Sequence, residues 1–94
     1  MIPGQMSRLT ESVVASAATI TVLTDIVRVT GAVAVTTITP AAAGASTIIF
    51  VITTDGAVVF NVGGNIAKAA TSIQFQVLSF VFDSVTGLWY PGAL

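Results

Sequence analysis

The sequence predicts an all-β protein: a compact antiparallel β-sandwich or barrel-like domain of about seven short strands. Three observations lead there. The apolar segments are built from Val, Ile and Thr, types that suit a pleated strand. Turn residues recur at intervals of roughly 8–12 residues. Finally, the apolar run Thr47-Ile48-Ile49-Phe50-Val51-Ile52-Thr53-Thr54 meets Asp55-Gly56 and is followed by Ala57-Val58-Val59-Phe60-Asn61-Val62. Asp-Gly is a strong signal for a two-residue hairpin turn, whose two central positions require φ > 0.

That turn would set a register. Thr53 would face Val58, Val51 would face Phe60, and Ile49 would face Val62. The alternate side would carry Ile52 opposite Val59 and Phe50 opposite Asn61. Successive side chains of a strand point to opposite sides, so neither face of this hairpin is built for water. One face can supply the core. The other needs a cover.

Composition supports the same expectation. The chain has 94 residues, of which 54% are hydrophobic and 7% charged, and its mean hydropathy is +0.98. Soluble domains average about 25% charged residues. A domain this small leaves much of its surface exposed, and large apolar patches mark interaction surfaces. Homo-oligomerisation is therefore expected.

The elements follow in order. Residues 1–16 read as an N-terminal arm or anchor, and residues 17–94 as the β domain. Pro3-Gly4 breaks regular structure, while Met6, Leu9, Val13 and Val14 have the spacing of a short helix with Arg8 and Glu11 one turn apart. Met6 and Leu9 are candidate subunit or capsid-type contacts of that arm. Thr19-Ile20-Thr21-Val22 alternates with period two, Thr24-Asp25 reads as a turn, and Ile26-Val27-Arg28-Val29 is a short strand ended by Thr30-Gly31. Residues 32–39 alternate small and branched side chains until Pro40, which cannot donate a ladder hydrogen bond. Ala41 to Ser46 reads as a loop.

Beyond the hairpin, Gly63-Gly64-Asn65 is punctuation that readily takes φ > 0. Residues 66–71 are an irregular connection or short edge strand. Ser72 to Asp83 reads as the longest strand, with Ile73, Phe75, Val77 and Val81 on one face and Gln74, Gln76, Leu78, Phe80 and Phe82 on the other. The second face passes from polar to apolar, as a strand does on entering an interface. Phe50, Ile52, Val59, Phe80 and Phe82 are accordingly the candidate subunit contacts of the β domain. Asp83-Ser84-Val85-Thr86-Gly87 is a turn, and Leu88-Trp89-Tyr90 a short final strand.

The chemistry is mostly an argument from missing residue types. There is no Cys and no His, so the usual soft metal ligands, thiolates and imidazole bases are lacking. Asp25, Asp55 and Asp83 fall at predicted turns, where Asp serves local hydrogen bonds. Gly63-Gly64 has neither the GK[ST] sequence nor the strand–helix context of a phosphate loop. No enzyme activity, metal or cofactor is expected. Arg8, Arg28 and Lys68 are scattered, so no basic patch exists to neutralise phosphates, and nucleic acid is not an expected partner. Thr, Gly, Pro or Asp interrupts every apolar run short of the ~18 residues of a spanning helix, so no membrane is expected either. The N-terminus lacks a charged start followed by an apolar core, which suggests assembly where the protein is made. Trp89 and Tyr90 are a candidate glycan platform, although a lone Trp in a small β domain more commonly closes the core.

The order of these signals resembles a known group. The -ITV- strand precedes Asp25-Ile26-Val27-Arg28-Val29-Thr30-Gly31, a -TTITP- strand, a small-residue loop and an apolar strand. Then come Val62-Gly63-Gly64-Asn65-Ile66-Ala67 and a long strand leading to Asp83 and Gly87-Leu88-Trp89-Tyr90-Pro91. Across residues 17–91 this is similar to small β modules of tailed-bacteriophage virion proteins: tail fibres, tailspikes, and capsid-bound head fibres or decoration proteins. The resemblance implies a homotrimeric, non-enzymatic virion protein assembled in the host cytoplasm, and it transfers no catalytic residue. Because the module makes up nearly the whole chain, a capsid decoration (cement) or head-fibre protein is the favoured expectation, with the viral capsid or another virion protein as partner. The alternative is a tail-fibre or tailspike module that binds host-surface glycan.

Overall fold

The structure, a computed structural model, describes residues 11–40 and 47–92. These residues form nine strands and no helix: β1 (Glu11–Ala15), β2 (Thr19–Thr21), β3 (Ile26–Thr30), β4 (Thr37–Thr39), β5 (Thr47–Thr53), β6 (Val59–Phe60), β7 (Ala70–Thr71), β8 (Val77–Asp83) and β9 (Leu88–Gly92). The protein is all-β, as expected. Its pairing is mixed rather than antiparallel. The main sheet has the order β1-β3-β5-β8-β9, with β1, β3 and β5 parallel to one another and β8 and β9 antiparallel to their neighbours.

Parallel neighbours cannot be joined by a tight turn and need a long crossover. Here each crossover contributes a strand of its own. β2 lies between β1 and β3, β4 lies between β3 and β5, and β2 and β4 pair in parallel in a separate two-stranded sheet. The chain therefore shuttles between the main sheet and the smaller ones. β6 pairs with β7, and a parallel bridge from Val35 to Phe60 ties β6 to the segment before β4. The main sheet is open, with β1 and β9 as its edges.

The hairpin expected at Asp55-Gly56 does not form. β3 occupies one edge of β5 and β8 the other, so β5 has no edge left for β6. The turn chemistry agrees. Gly56 has φ 152°, but Asp55 has no positive φ, whereas a type I′ turn needs it at both positions. The Asp55 carboxylate instead accepts the Gly31 N–H at 3.0 Å, joining two adjacent loops. The expected partner of Thr53, Val58, exchanges backbone and side-chain hydrogen bonds with Ser72. Thr53 reaches that site only through its hydroxyl, 2.9 Å from Ser72 Oγ.

The face assignment fares better than the pairing. Ile49, Val51, Thr53 and Phe60 are buried, while Phe50 and Ile52 are half-buried and Val59 is exposed. Val62, placed on the same face as Ile49, Val51 and Phe60, is exposed. The core unites residues from all three sheets and their connections: Val27, Val29, Ile49, Val51, Phe80, Phe82 and Trp89 from the main sheet, with Ile20, Val22, Val35, Ile38, Val58, Phe60 and Ile66 facing them. Phe60 and Phe80 meet in a tilted pair with centroids 5.0 Å apart, and Phe82 and Trp89 do the same at 5.0 Å. This is the offset geometry aromatic rings prefer.

Two further boundaries differ from the sequence reading. The long strand from Ser72 to Asp83 is interrupted: Ile73 to Gln76 form a turn, closed by Gln76 N–H donating to the Ile73 carbonyl at 3.0 Å, and β8 begins only at Val77. Glu11 to Ala15, placed within the arm and given a helical spacing, are strand β1 of the main sheet. Glu11 forms an ion pair with Arg28, diagonally opposite on the adjacent strand β3, at 2.9 Å. Both side chains are well solvated, so this pair contributes little stability. Met6, Leu9, Arg8 and the Ala41 to Ser46 loop lie outside the described residues.

The Gly63-Gly64-Asn65 segment works by close approach more than by turning. Gly63 has φ 127°, but a Cβ on Gly64 would collide with Thr37 Oγ1 and the Thr36 carbonyl. With the backbone that close, Asn65 reaches Ile38: Asn65 Oδ1 accepts the Ile38 N–H at 2.8 Å and Asn65 Nδ2 donates to the Ile38 carbonyl at 2.7 Å. Two substitutions test this contact by urea unfolding. Gly64→Ala is expected to cost about 1–3 kcal/mol through overpacking. Asn65→Ala, which strips two partners from a part-buried backbone, is expected to cost about 2–3 kcal/mol.

Candidate functional site

The candidate site is the outer face of the main sheet. Strand registers identify which side chains share it, because directly paired residues lie on the same side. One row runs Glu11, Ile26, Phe50, Ser79, Gly92 across all five strands. The next runs Val13, Arg28, Ile52, Val77. A third runs Ile48, Val81, Tyr90. Their exposure marks this as the uncovered side: Val13, Ile48, Val77, Val81 and Tyr90 are exposed, while their strand neighbours Val27, Ile49, Phe80 and Trp89 are buried beneath.

Strand chemistry explains the two apolar sides. Parallel strands normally sit in sheets covered on both faces and so read as continuous Val/Ile/Leu runs. β5, the central strand, has this sequence and this position. Its inner side is covered by the smaller sheets. Its outer side is covered by no described part of the chain. The charged residues on this face are Glu11 and Arg28, paired near the β1 edge, and Asp83 at the end of β8. At the opposite edge the Tyr90 hydroxyl lies 3.1 Å from Thr86 Oγ1. The face is thus apolar in the middle and polar toward its margins, the arrangement typical of interfaces.

The residues singled out from the sequence separate into groups. Phe50 and Ile52 lie together on this face. Val59 is exposed but belongs to the β6–β7 sheet, so it does not join them. Phe80 and Phe82 are core residues, not surface contacts: the polar-to-apolar change along the expected strand marks its turn into the core. Met6 and Leu9 are outside the described residues. The sequence reading missed Val13, Ile26 and Ile48 as members of the face. Ile48 shares strand parity with Phe50 and Ile52, and Val77 and Val81 had been grouped correctly with each other. The missing information was that β5 pairs with β8, which joins the two groups.

Trp89 offers no stacking surface. It is 0% exposed, and its indole N–H donates to the Ile38 carbonyl at 2.8 Å. It closes the core, and Tyr90 alone remains of the candidate glycan platform. The carboxylates serve the backbone as turn residues do: Asp83 Oδ1 accepts the Val85 N–H at 3.0 Å, and Asp55 holds Gly31. Among the described residues no three His, Cys, Asp or Glu side chains group into a metal-binding cluster.

The two aromatics should therefore respond differently to truncation. Trp89→Ala is expected to cost about 3–5 kcal/mol, seen as a large drop in the urea midpoint. Tyr90→Ala should change stability by less than about 1 kcal/mol. Equal losses would contradict the placement of one inside and one outside. No family model matches the chain, and no curated protein or solved structure matches it.

Proposed function

We propose that this chain is a non-enzymatic structural protein of a bacteriophage virion, a capsid decoration (cement) or head-fibre protein that assembles as a trimer. The observation that carries the self-assembly is the apolar outer face of the main sheet, centred on Phe50, Ile52, Ile48, Val77 and Val81. A face of this kind left in water would invite association, and association with copies of the same chain is the simplest cover. In that assembly each protomer acts as a sandwich-like unit, its inner layer closed by its own small sheets and its outer layer closed by neighbours. The virion placement rests on the resemblance of residues 17–91 to phage virion modules. The tail-fibre alternative, with a glycan ligand, gains no support from the buried Trp89.

Charge introduced on the two sides of the sheet should have different consequences. Val81→Lys, on the outer face, is expected to leave the β-sheet circular dichroism intact and convert the oligomer to monomer in sedimentation equilibrium. Phe60→Asp, in a 0% exposed core position, should abolish folding, because a buried unpaired charge has no compensation. An oligomer unchanged by Val81→Lys would remove the outer face from the interface. Imaging of N-terminally labelled protein on assembled particles tests the virion placement: label across the capsid supports decoration, and label at one vertex a tail component.

A further inference from the structure

Phe75 stands out from the rest of the surface. It has φ 65° and is the one non-glycine residue with positive φ among the described residues. Elsewhere the chain places glycine at such positions: Gly31, Gly56, Gly63 and Gly87. For a bulky side chain this conformation is a genuine outlier, and backbone strain of this kind collects at functional positions. The strain is held by the end of β5. Phe75 N–H donates to the Thr53 carbonyl at 2.9 Å, and Gln74 Nε2 donates to the Thr54 carbonyl at 2.8 Å. The fold gains no burial in return, since Phe75 is 73% exposed. Ile73, two residues away, is exposed as well.

The same chain carries a groove that suits a phenyl ring. It has a volume of about 340 Å³ and is lined by Lys68, Ala69, Ala70, Leu78, Pro91 and Gly92, with Thr71 completing it. A cavity of ~150 Å³ is enough to hold benzene. The alanines and glycine leave the space, Leu78 and Pro91 offer apolar walls, and Lys68 can lie over the face of a ring. With most of its surface in solvent, Phe75 is not seated in its own groove.

We infer that Phe75 of one copy seats in the Lys68-to-Gly92 groove of a neighbouring copy. The inference rests on the proposed self-assembly and specifies its geometry. Knob and groove are different surfaces, so a contact made in one direction is heterologous, the type that closes into rings and that the proposed trimer requires. The knob is continuous with the outer face, because Val77 follows two residues later and pairs with Ile52. Area points the same way. Five strands ~4.8 Å apart and about five residues long project to a flat area of ~400 Å², and a standard interface buries about 800 Å² of accessible surface per partner. The Ile73–Phe75 turn with the groove adds a second contact patch to that face.

Sedimentation equilibrium on the full chain tests this with two variants. Phe75→Gly removes the knob and also relaxes the backbone, so its melting temperature should equal or exceed that of the wild type while its dissociation constant rises at least tenfold. Ala69→Trp should fill the groove and weaken assembly to a similar extent. Mixing the two variants should give a 1:1 heterodimer that neither forms alone, because the one intact knob then meets the one intact groove. A Phe75→Gly protein that assembles like the wild type overturns the knob and leaves self-assembly through the sheet face standing. A wild type that is monomeric at every concentration, or that associates only with capsids, overturns both.

Discussion

The arrangement depends on the hydrogen bonds at Ile38. Its N–H and carbonyl are both taken by the side chain of Asn65, and the carbonyl also receives the indole N–H of Trp89. The backbone carbonyl of Asn65 in turn accepts the N–H of Trp89 at 2.7 Å. Asn65 thus behaves as one residue of an extra strand on the edge of β4. Three segments far apart in the chain, namely β4, the glycine loop and β9, are joined at one part-buried point. Among the described residues, no buried side-chain nitrogen or oxygen lacks a partner. A buried polar network specifies one arrangement only when it is fully satisfied, and this one is.

That junction explains why some of the fold was legible in the sequence and some was not. Side-chain parity is a local property of a strand, so the alternation in residues 47–53 correctly separated Ile49 and Val51 from Phe50 and Ile52. Pairing is a competition between strands for edges. Nothing within residues 47–62 announces that β3 and β8 take both edges of β5, and the Asp-Gly signal is spent on a hydrogen bond to Gly31 instead. The Gly-Gly-Asn segment was visible as punctuation, yet its role needs Thr36 and Ile38, which lie more than twenty residues away in the chain. The apolar face was foreseen in kind. Its membership was not, because Phe80 and Phe82 follow the strand into the core while Ile48, Val77 and Val81 remain outside.

Mixed topology also accounts for the high apolar content. An antiparallel sandwich with solvated outer faces would alternate apolar and polar residues along each strand. Here the three parallel strands at the centre and one edge of the sheet are fed by crossovers that fold the small sheets over a single side. Among the described residues, the covering elements all lie on that inner side. The outer side keeps Val and Ile at positions where a solvated sheet would carry Lys, Glu or Thr.

The placement of the few charges sharpens this contrast. A protein protecting an apolar sheet from association puts charge on it, particularly at the edges and on inward positions. On this face Glu11 and Arg28 neutralise one another beside β1 and Asp83 sits at the last position of β8; the paired stretch where β5 meets β8 carries no charge. At the other edge β9 is blunted differently. Pro91 lacks an N–H, and Trp89 is already bridged to Ile66, so that edge has little left to offer another strand. Lateral growth by strand addition is therefore blocked at β9, while contact through the face stays open. Those two properties favour the proposed face-packed assembly over an extended fibre of paired strands.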